Sequence, residues 1–286
     1  VKVDSSGDGL GATTVARRFG PAVSRRFAPR SQSMGLIHKL DAHWQWSLNA
    51  AYTERAPTAY ELYANGVHTA THAFERGNPQ QGVESGRQWD AGLSWQEGAN
   101  RVKLGAFIGR YSNYIQLQAT GESALDGRGH TLPVYAYSGA AARLSGVELE
   151  GQWRVLSGAQ QLDIDAKVDG VQGVLTASGQ ALPRLPPIKT RVGLTLEQGA
   201  WMLRAELQHA ATQDRVPPND IPTAGWTQFN LLGSHQAQWG SQRVLIYGKL
   251  LNLGNTLAYN ASSIRTVREL SPYPGRALSV GVRFSL

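Results

Sequence analysis

Apolar and polar residues alternate strictly along much of this chain. In the run 162–169, leucine, isoleucine, alanine and valine alternate with aspartate and lysine, and 201–208 follows the same period. Successive side chains of a β-strand point to opposite faces, so this period indicates strands with one apolar and one polar face. The eleven full strands predicted in this way are 31–40, 43–54, 83–96, 100–112, 143–156, 160–172, 189–198, 201–212, 225–238, 241–252 and 276–285. We also expect a short helical turn at 58–64, no long amphipathic helix, and the end of an earlier strand at 1–3.

The connections between these strands alternate between short and long. The short ones are 41–42, 97–99, 157–159, 199–200 and 240. The long ones are 55–82, 113–142, 173–188, 213–224 and 253–275. This order puts every short turn at one end of an antiparallel sheet and every long loop at the other. Transmembrane β-barrels have short periplasmic turns and long extracellular loops, whereas a soluble sandwich has no reason to keep such an order.

Tryptophan placement indicates the same class. Six of the eight tryptophans lie near a short turn and on the apolar face of a strand: Trp44, Trp46, Trp95, Trp153, Trp201 and Trp239. Aromatic residues gathered at one end of a sheet are typical of a membrane interface. The opposite face carries charges such as Asp163, Asp165 and Arg204. A dry core could not hold them without partners, so this face should line a wide, wet lumen or contact a plug.

Composition excludes several classes. Mean hydropathy is −0.31, and no apolar run approaches the roughly 20 residues of a membrane-spanning helix. Cysteine is absent, so there is no disulfide framework. The net charge of +7 owes much to an arginine cluster at Arg17, Arg18, Arg25, Arg26 and Arg30. Such a cluster suits an anionic ligand, phosphate-bearing lipid or nucleic acid, but no nucleic-acid motif accompanies it, so we expect no nucleic-acid partner.

The long connection after the second strand carries the most distinctive motif. Residues 52–79 read YTERAPTAYELYANGVHTATHAFERGNP. This stretch resembles the loop "ERxPTxxELYAxGxHxATxxFExGNP" of TonB-dependent outer-membrane receptors, and within that family it is most similar to the zinc-uptake branch. Residues 250–259 resemble the family's "xNLxxxxY" segment, and 272–276 resemble the "PxPGR" that precedes its last strand. The final residue is Leu286, where the family usually has phenylalanine.

The resemblance implies a fold and a location. Family barrels have twenty-two antiparallel strands preceded by a globular plug. We therefore expect residues 1–286 to be the C-terminal portion of such an all-β transmembrane barrel, about 11–12 strands, without the plug, the signal peptide or the TonB box. The location implied is the outer membrane, where lipid and lipopolysaccharide surround the barrel. The partner implied is the inner-membrane TonB-type complex, which acts through the plug.

The function implied is energy-coupled uptake of a scarce metal or metal chelate. No nucleophile elbow, phosphate loop or His-Glu-x-x-His motif is present, and we expect no enzymatic activity and no resident cofactor. The alternative is a passive, porin-like outer-membrane channel, which would share the strand pattern. A plug upstream of this chain distinguishes the two.

Candidate ligand residues lie in the motif-bearing loop: Glu61, Tyr63, His68, His72, Glu75 and Arg76. His68 falls on the histidine of the family-like "GxHxAT" pattern, which favours zinc. His68 and His72 are four residues apart and would lie on one side if 67–73 were helical; Glu61, Glu75 or a plug residue could complete a zinc shell. Tyr60, Tyr63 and Arg76 would instead suit an anionic chelate, a ferric siderophore or haem. The transported cargo therefore stays open between zinc and a ferric chelate, with another nutrient as the third alternative.

Overall fold

The computed structural model describes residues 2–5, 23–240 and 242–285. The strands are β1 (Lys2–Ser5), β2 (Val23–Arg26), β3 (Ser31–Lys39), β4 (Trp44–Arg55), β5 (Asn65–His68), β6 (Ala73–Arg76), β7 (Glu84–Glu97), β8 (Asn100–Leu125), β9 (Thr131–Leu156), β10 (Gln160–Leu175), β11 (Lys189–Gln198), β12 (Trp201–Ala210), β13 (Trp226–Trp239), β14 (Gln242–Leu251) and β15 (Ala277–Ser285). The helices are α1 (Ala59–Tyr63) and α2 (Arg265–Arg268), with a 3-10 turn at Thr69–Thr71. None of the helices in the described ranges is long and apolar enough to cross a membrane.

The main sheet is antiparallel and follows chain order. Its strand order is β15-β14-β13-β12-β11-β10-β9-β8-β7-β4-β3. These eleven strands are the eleven predicted ones, and their ends agree within three residues except where β8 ends and β9 begins. β1 pairs with β2 in a separate two-stranded sheet, so the strand end predicted at 1–3 overlaps β1, although Val1 lies outside the described residues. The all-β, antiparallel class is confirmed.

The prediction of a long loop at 113–142 is wrong, because most of this segment is strand. β8 and β9 continue as a hairpin beyond the rest of the sheet and close through a turn at 126–130. A bulge explains the error. Tyr111 pairs with Ala142 but Tyr114 pairs with Ala140, so β8 holds one extra residue there. An extra residue reverses which side chains face which side, and the alternation read from the sequence stops at that point.

The apolar faces of the strands form one continuous surface. Across five strands, Trp46 pairs with Leu93, Leu93 with Leu104, Leu104 with Leu149, and Leu149 with Val168. The three leucines are 38%, 48% and 46% exposed. Exposed apolar surface this extensive marks a membrane or protein interface. We call it the apolar belt, defined by these five residues and their neighbours on the same face.

The tryptophans lie at the short-turn end of this belt, as predicted. Trp44 and Trp95 face each other across β4 and β7, with ring centroids 6.4 Å apart. Trp201 packs on His235, with ring centroids 4.2 Å apart. Trp239 is 74% exposed beside the turn at Gly240, whose φ of 63° favours glycine.

The opposite face is polar, and several of its charges are paired. Arg154 Nε donates to Asp163 Oδ1 at 2.7 Å. Arg204 pairs with both Asp165 and Glu206, at 2.5 and 3.0 Å. The ion pairs of the described residues do not include other charges of this face, such as Glu148, Glu150 and Lys167. That this face lines a wet lumen or contacts a plug stays a prediction. Buried apolar clusters lie elsewhere, at the long-loop end of the sheet, where the connecting segments pack against one another.

Candidate functional site

The first long loop, 56–83, begins with a capped helix. Thr58 is the N-cap of α1: its hydroxyl accepts from the backbone N–H of Glu61 at 3.2 Å, and the Glu61 carboxylate accepts from the N–H of Thr58 at 2.8 Å. The Thr-x-x-Glu spacing encodes this capping box. The side chain of Leu62 is completely buried, which fixes the helix on the loop interior. The predicted helical turn at 58–64 is therefore confirmed.

Gly77 lets the loop return over this helix. Its N–H donates to the carbonyl of Ala64 at 2.6 Å, and the N–H of Asn78 donates to the carbonyl of Glu61 at 2.8 Å. A Cβ at Gly77 would lie 2.6 Å from the backbone carbon of Leu62, and backbone cannot yield as a flexible side chain can. Glycine is therefore required at this crossing.

Asn113 anchors the far end of the loop to the sheet. Its amide donates to the carbonyl of Val83 at 2.9 Å and its oxygen accepts from Gln81 Nε2 at 3.2 Å. The pair lies over Gly139 of β9, where a Cβ would come within 2.0 Å of Asn113 Oδ1. The loop is thus held by both of its ends and has a defined position beside the bulge of β8, where the projecting hairpin begins.

At the centre of the loop, Glu75 is buried and polar. Only 2% of the residue is exposed. One carboxylate oxygen lies 2.8 Å from His68 Nδ1 and accepts a hydrogen bond from the Thr71 hydroxyl at 2.9 Å. β5 and β6 form the small hairpin that brings these residues together, with His68 opposite Ala73. A carboxylate that orients an imidazole in this way is a common arrangement behind a metal ligand.

Aromatic rings surround this pair. β6 runs parallel to β9, with Phe74 opposite Val134, and this docks the small hairpin on the projecting one. Tyr60 packs against the His68 ring, with ring centroids 5.9 Å apart, and edge-on against Tyr137, with centroids 6.3 Å apart. Tyr137 lies on the part of β9 beyond the bulge, outside the apolar belt. Burial, assisted by the charge of Glu75, raises the pKa of Tyr137 to about 12.

The last long connection closes over the same place. The Thr266 hydroxyl donates to the carbonyl of Thr71, 195 residues away in sequence. α2 is held by Arg268, 3% exposed, which donates to the carbonyl of Ile221 at 2.8 Å and pairs with Asp220 at 3.1 Å. The last connection therefore joins the first long loop, through Thr71, to the connection that holds Asp220 and Ile221. Sequence reasoning did not find Thr266 or Arg268, because nothing local marks a contact between such distant segments.

The predicted site residues divide into separate groups. His68 and Glu75 are brought together, whereas Glu61 is bound to Arg55 at 2.8 Å. Arg76 lies on the surface and donates to Glu122 at 2.7 Å. Within the described ranges, no three His, Cys, Asp or Glu side chains are grouped so that they could hold a metal ion.

The remaining two predicted residues have different surroundings. The hydroxyl of Tyr63 is buried, and no residue of the described part satisfies it. The helix considered for 67–73 is not formed: His68 ends β5, and His72 is an exposed residue in the left-handed region, with φ of 47°. Pairing of β5 with β6 takes the backbone hydrogen bonds that a helix would have used.

Sequence comparison identifies a family over most of the chain. Its description is "TonB dependent receptor-like, beta-barrel", and the match covers residues 2–255. Family and geometry agree, since the antiparallel sheet with its apolar belt is what an outer-membrane barrel domain requires.

Solved structures share the fold. The structure named "Copper transporter OprC" matches with a TM-score of 0.75 at 20% identity over 92% of this chain. The ferric enterobactin receptor PfeA of Pseudomonas aeruginosa matches 92% of it with a TM-score of 0.62 at 15% identity. The FrpB iron transporter of Neisseria meningitidis matches 91% of this chain with a TM-score of 0.62 at 14% identity. The chain spans about 40% of the length of these proteins, covering 40%, 40% and 39% of them.

Proposed function

Because this chain belongs to the TonB-dependent receptor family, we propose that it forms the C-terminal portion of an outer-membrane receptor barrel for energy-coupled metal uptake. The apolar belt faces lipid, and the polar face lines the interior. Cargo binds at the long-loop end, and an inner-membrane TonB-type complex supplies energy through a plug. The structural neighbours are named for copper, ferric enterobactin and iron, which makes a metal-bearing cargo the natural choice.

The observation that carries this proposal is the pair of His68 and Glu75. A carboxylate this deeply buried needs hydrogen-bond partners, and here it takes them from an imidazole and a hydroxyl. With its Nδ1–H donated to Glu75, the ring of His68 keeps Nε2 as a lone pair for a ligand. The side chain of His68 is 41% exposed, so the ring can reach a cargo.

A zinc ion is the cargo that this pair favours. Zinc accepts imidazole and carboxylate ligands when thiols are absent, and the chain has no cysteine. His68 would be the first ligand and Glu75 its orienting partner. His72 begins the segment that leads into β6 and is the second candidate, and the plug would supply the remaining ligands.

A ferric chelate is the second cargo, favoured by the rings near His68. Tyr60 is 50% exposed and offers a flat surface to an aromatic chelate. Arg76 adds a cation whose partner, Glu122, is itself 60% exposed and easily displaced. These groups fit an anionic siderophore or haem better than a bare ion.

Titration of the purified receptor separates these cargoes. We expect zinc affinity to fall at least about tenfold in His68→Ala with His72→Ala, because each imidazole supplies a metal bond. His130→Ala is the matched control, since that histidine pairs with Asp126 at the tip of the projecting hairpin. Unchanged zinc affinity in the double variant would remove both histidines from the site. Tight binding of a ferric siderophore or haem, lost in Tyr60→Ala, would assign the cargo to iron.

Uptake in cells tests the receptor against a passive channel. Accumulation of the cargo by a receptor should stop when the proton-motive force is dissipated, because the TonB-type complex draws on it. Cargo entry that continued unchanged without this force would support a passive channel instead.

A further inference from the structure

Three arginines form a row across adjacent strands. Arg87 of β7 lies directly opposite Arg110 of β8, and Arg110 lies directly opposite Arg143 of β9. All three side chains are exposed. They share the face of the apolar belt, because each lies an even number of residues from a leucine of that belt on its own strand. These leucines are Leu93 for Arg87, Leu104 for Arg110 and Leu149 for Arg143.

The row is electrostatically unfavourable by itself. Like charges directly opposite on neighbouring strands repel, since their Cβ atoms are only about 5 Å apart. The ion pairs found among the described residues include other arginines, such as Arg55, Arg154 and Arg204, but none of these three. The nearest carboxylate on β4 in the same phase, Glu54, already accepts from the Tyr52 hydroxyl and from the N–H of Arg30. An external anion would remove the repulsion.

The height of the row fits a membrane interface. Eight residues along β7 separate Arg87 from Trp95 of the tryptophan end. At about 3.4 Å per residue this is about 27 Å along the strand, and strand tilt makes the vertical distance shorter. The lipid-facing band of a barrel is about 25 Å tall. The row therefore borders the apolar belt at the long-loop end, opposite the tryptophans.

An apolar groove lies near the β9 end of the row, since its lining includes Ser145, two residues from Arg143. It has a volume of about 520 Å³, and its lining includes Val147, Gly170 and Ile188 of the apolar surface. Gly170 leaves room beside Ile188, whose Cγ1 would be 3.2 Å from a Cβ at that position. Arg215, which donates to Gln172, stands at the groove's polar rim. An alkyl chain in the groove would place its head group near Arg143, at the β9 end of the row.

From the row, its height and the groove, we infer that this face binds the phosphate groups of a phosphorylated glycolipid in the outer leaflet. Guanidinium groups match phosphate oxygens in charge and in their paired donors. Lipid is the source, rather than free phosphate, because the row continues directly into the apolar belt. The outer leaflet follows from the long-loop end of the barrel. This inference rests on the proposed outer-membrane location.

The test uses the purified receptor, delipidated in detergent and titrated under native mass spectrometry. The probes are diphosphorylated lipid A, dephosphorylated lipid A, phosphatidylglycerol and inorganic phosphate. We expect diphosphorylated lipid A to bind at least about tenfold more tightly than its dephosphorylated form. The triple variant Arg87→Gln, Arg110→Gln, Arg143→Gln should lose this preference. Arg128→Gln, at the tip of the projecting hairpin, is the matched control and should keep it.

Stability without lipid excludes a merely structural role. Because the substitutions remove mutual repulsion, the lipid-free triple variant should unfold at a temperature equal to or above that of the wild type. A lower temperature would mean that the arginines stabilise the barrel by contacts of their own, and would contradict the inference.

Three binding results would also overturn it. They are an unchanged lipid preference in the triple variant, binding of inorganic phosphate as tight as that of diphosphorylated lipid A, and equally tight binding of phosphatidylglycerol. A wild-type receptor that kept the lipid preference but bound no metal cargo would overturn the proposed uptake function alone.

Discussion

Arg204 reaches Asp165 across the backbone of Gly193. Arg204 belongs to β12 and Asp165 to β10, and Gly193 of β11 lies between them, directly opposite Asp165. The guanidinium Nη1 is 2.5 Å from the carboxylate Oδ1. A Cβ on Gly193 would lie 2.2 Å from Arg204 Nη2 and 2.6 Å from Asp165 Oδ1. The missing side chain at Gly193 is thus what permits an ion pair to span three strands.

Gly193→Ala should destabilise the barrel by breaking this pair. The two side chains are 20% and 24% exposed, so the cost should lie between those of exposed and buried pairs, about 1–3 kcal/mol. Thermal unfolding in detergent measures it. Gly105→Ala is the matched control, since a Cβ at Gly105 meets nothing within 4 Å. An equal effect of both substitutions would show that the loss of glycine itself, and not the ion pair, causes the change.

Gly77→Ala should disorder the first long loop and leave the sheet intact. The added Cβ would collide with the backbone of α1, which cannot move without releasing the hydrogen bond from Gly77 to Ala64. We expect faster proteolysis within 56–83 and loss of cargo binding, with unchanged heat-modifiable migration of the barrel. Gly127→Ala is the matched control, because a Cβ in this open turn of the projecting hairpin meets nothing within 4 Å; it should change neither proteolysis nor cargo binding. Normal cargo binding by Gly77→Ala would show that the return over α1 is not needed.

Arg268→Met should release the last long connection. The guanidinium is buried and donates to Asp220 and to the carbonyls of Ile221 and Ser263, so its removal leaves the Asp220 carboxylate without its cationic partner. The cost should be about 3 kcal/mol. Hydrogen exchange of the segment 260–272 measures the loosening. Arg265→Met is the control, because Arg265 is exposed and makes one bond, to the carbonyl of Asn219. Equal exchange in both variants would contradict a specific role for Arg268.

Tyr137 should ionise at higher pH than the exposed tyrosines, because it is half-buried. Its pKa is raised to about 12 in the folded protein, against an ordinary value of 10.0, mainly by burial. A raised pKa means that the stability Tyr137 contributes is complete below pH 10 and is lost as pH rises towards 12. Tyrosinate absorbance is followed as pH rises in wild type and in Tyr137→Phe. The variant should lack one ionising phenol, and the difference between the two curves should appear near pH 12. A difference centred near pH 10 would show that Tyr137 is not shielded.

Local pattern was enough to predict the sheet. Period-two alternation identified the eleven strands, because one face of each must be apolar and the other polar whatever its neighbours are. The Thr58-x-x-Glu61 spacing predicted α1, since both halves of a capping box lie within one helical turn. The order of short and long connections, with the tryptophans, gave the two ends of the barrel.

Long-range pairing decided the rest. The bulge near Tyr111 hid the continuation of β8 and β9, because it changes the phase of the alternation without changing the strand. His68 and Glu75 were among the candidates, but their contact depends on β5 pairing with β6, where a helix was equally consistent with the spacing.

The sequence by itself determined which residues of the eleven predicted strands lie on the apolar face and which on the polar face, because that assignment depends only on the alternation of side chains within a strand. Only the tertiary structure decided which residues meet. The bond from Thr266 to Thr71 and the row of Arg87 with Arg110 depend on loop docking and on strand register. Docking and register are set by the sum of many weak contacts between distant segments, and no single local pattern records that sum.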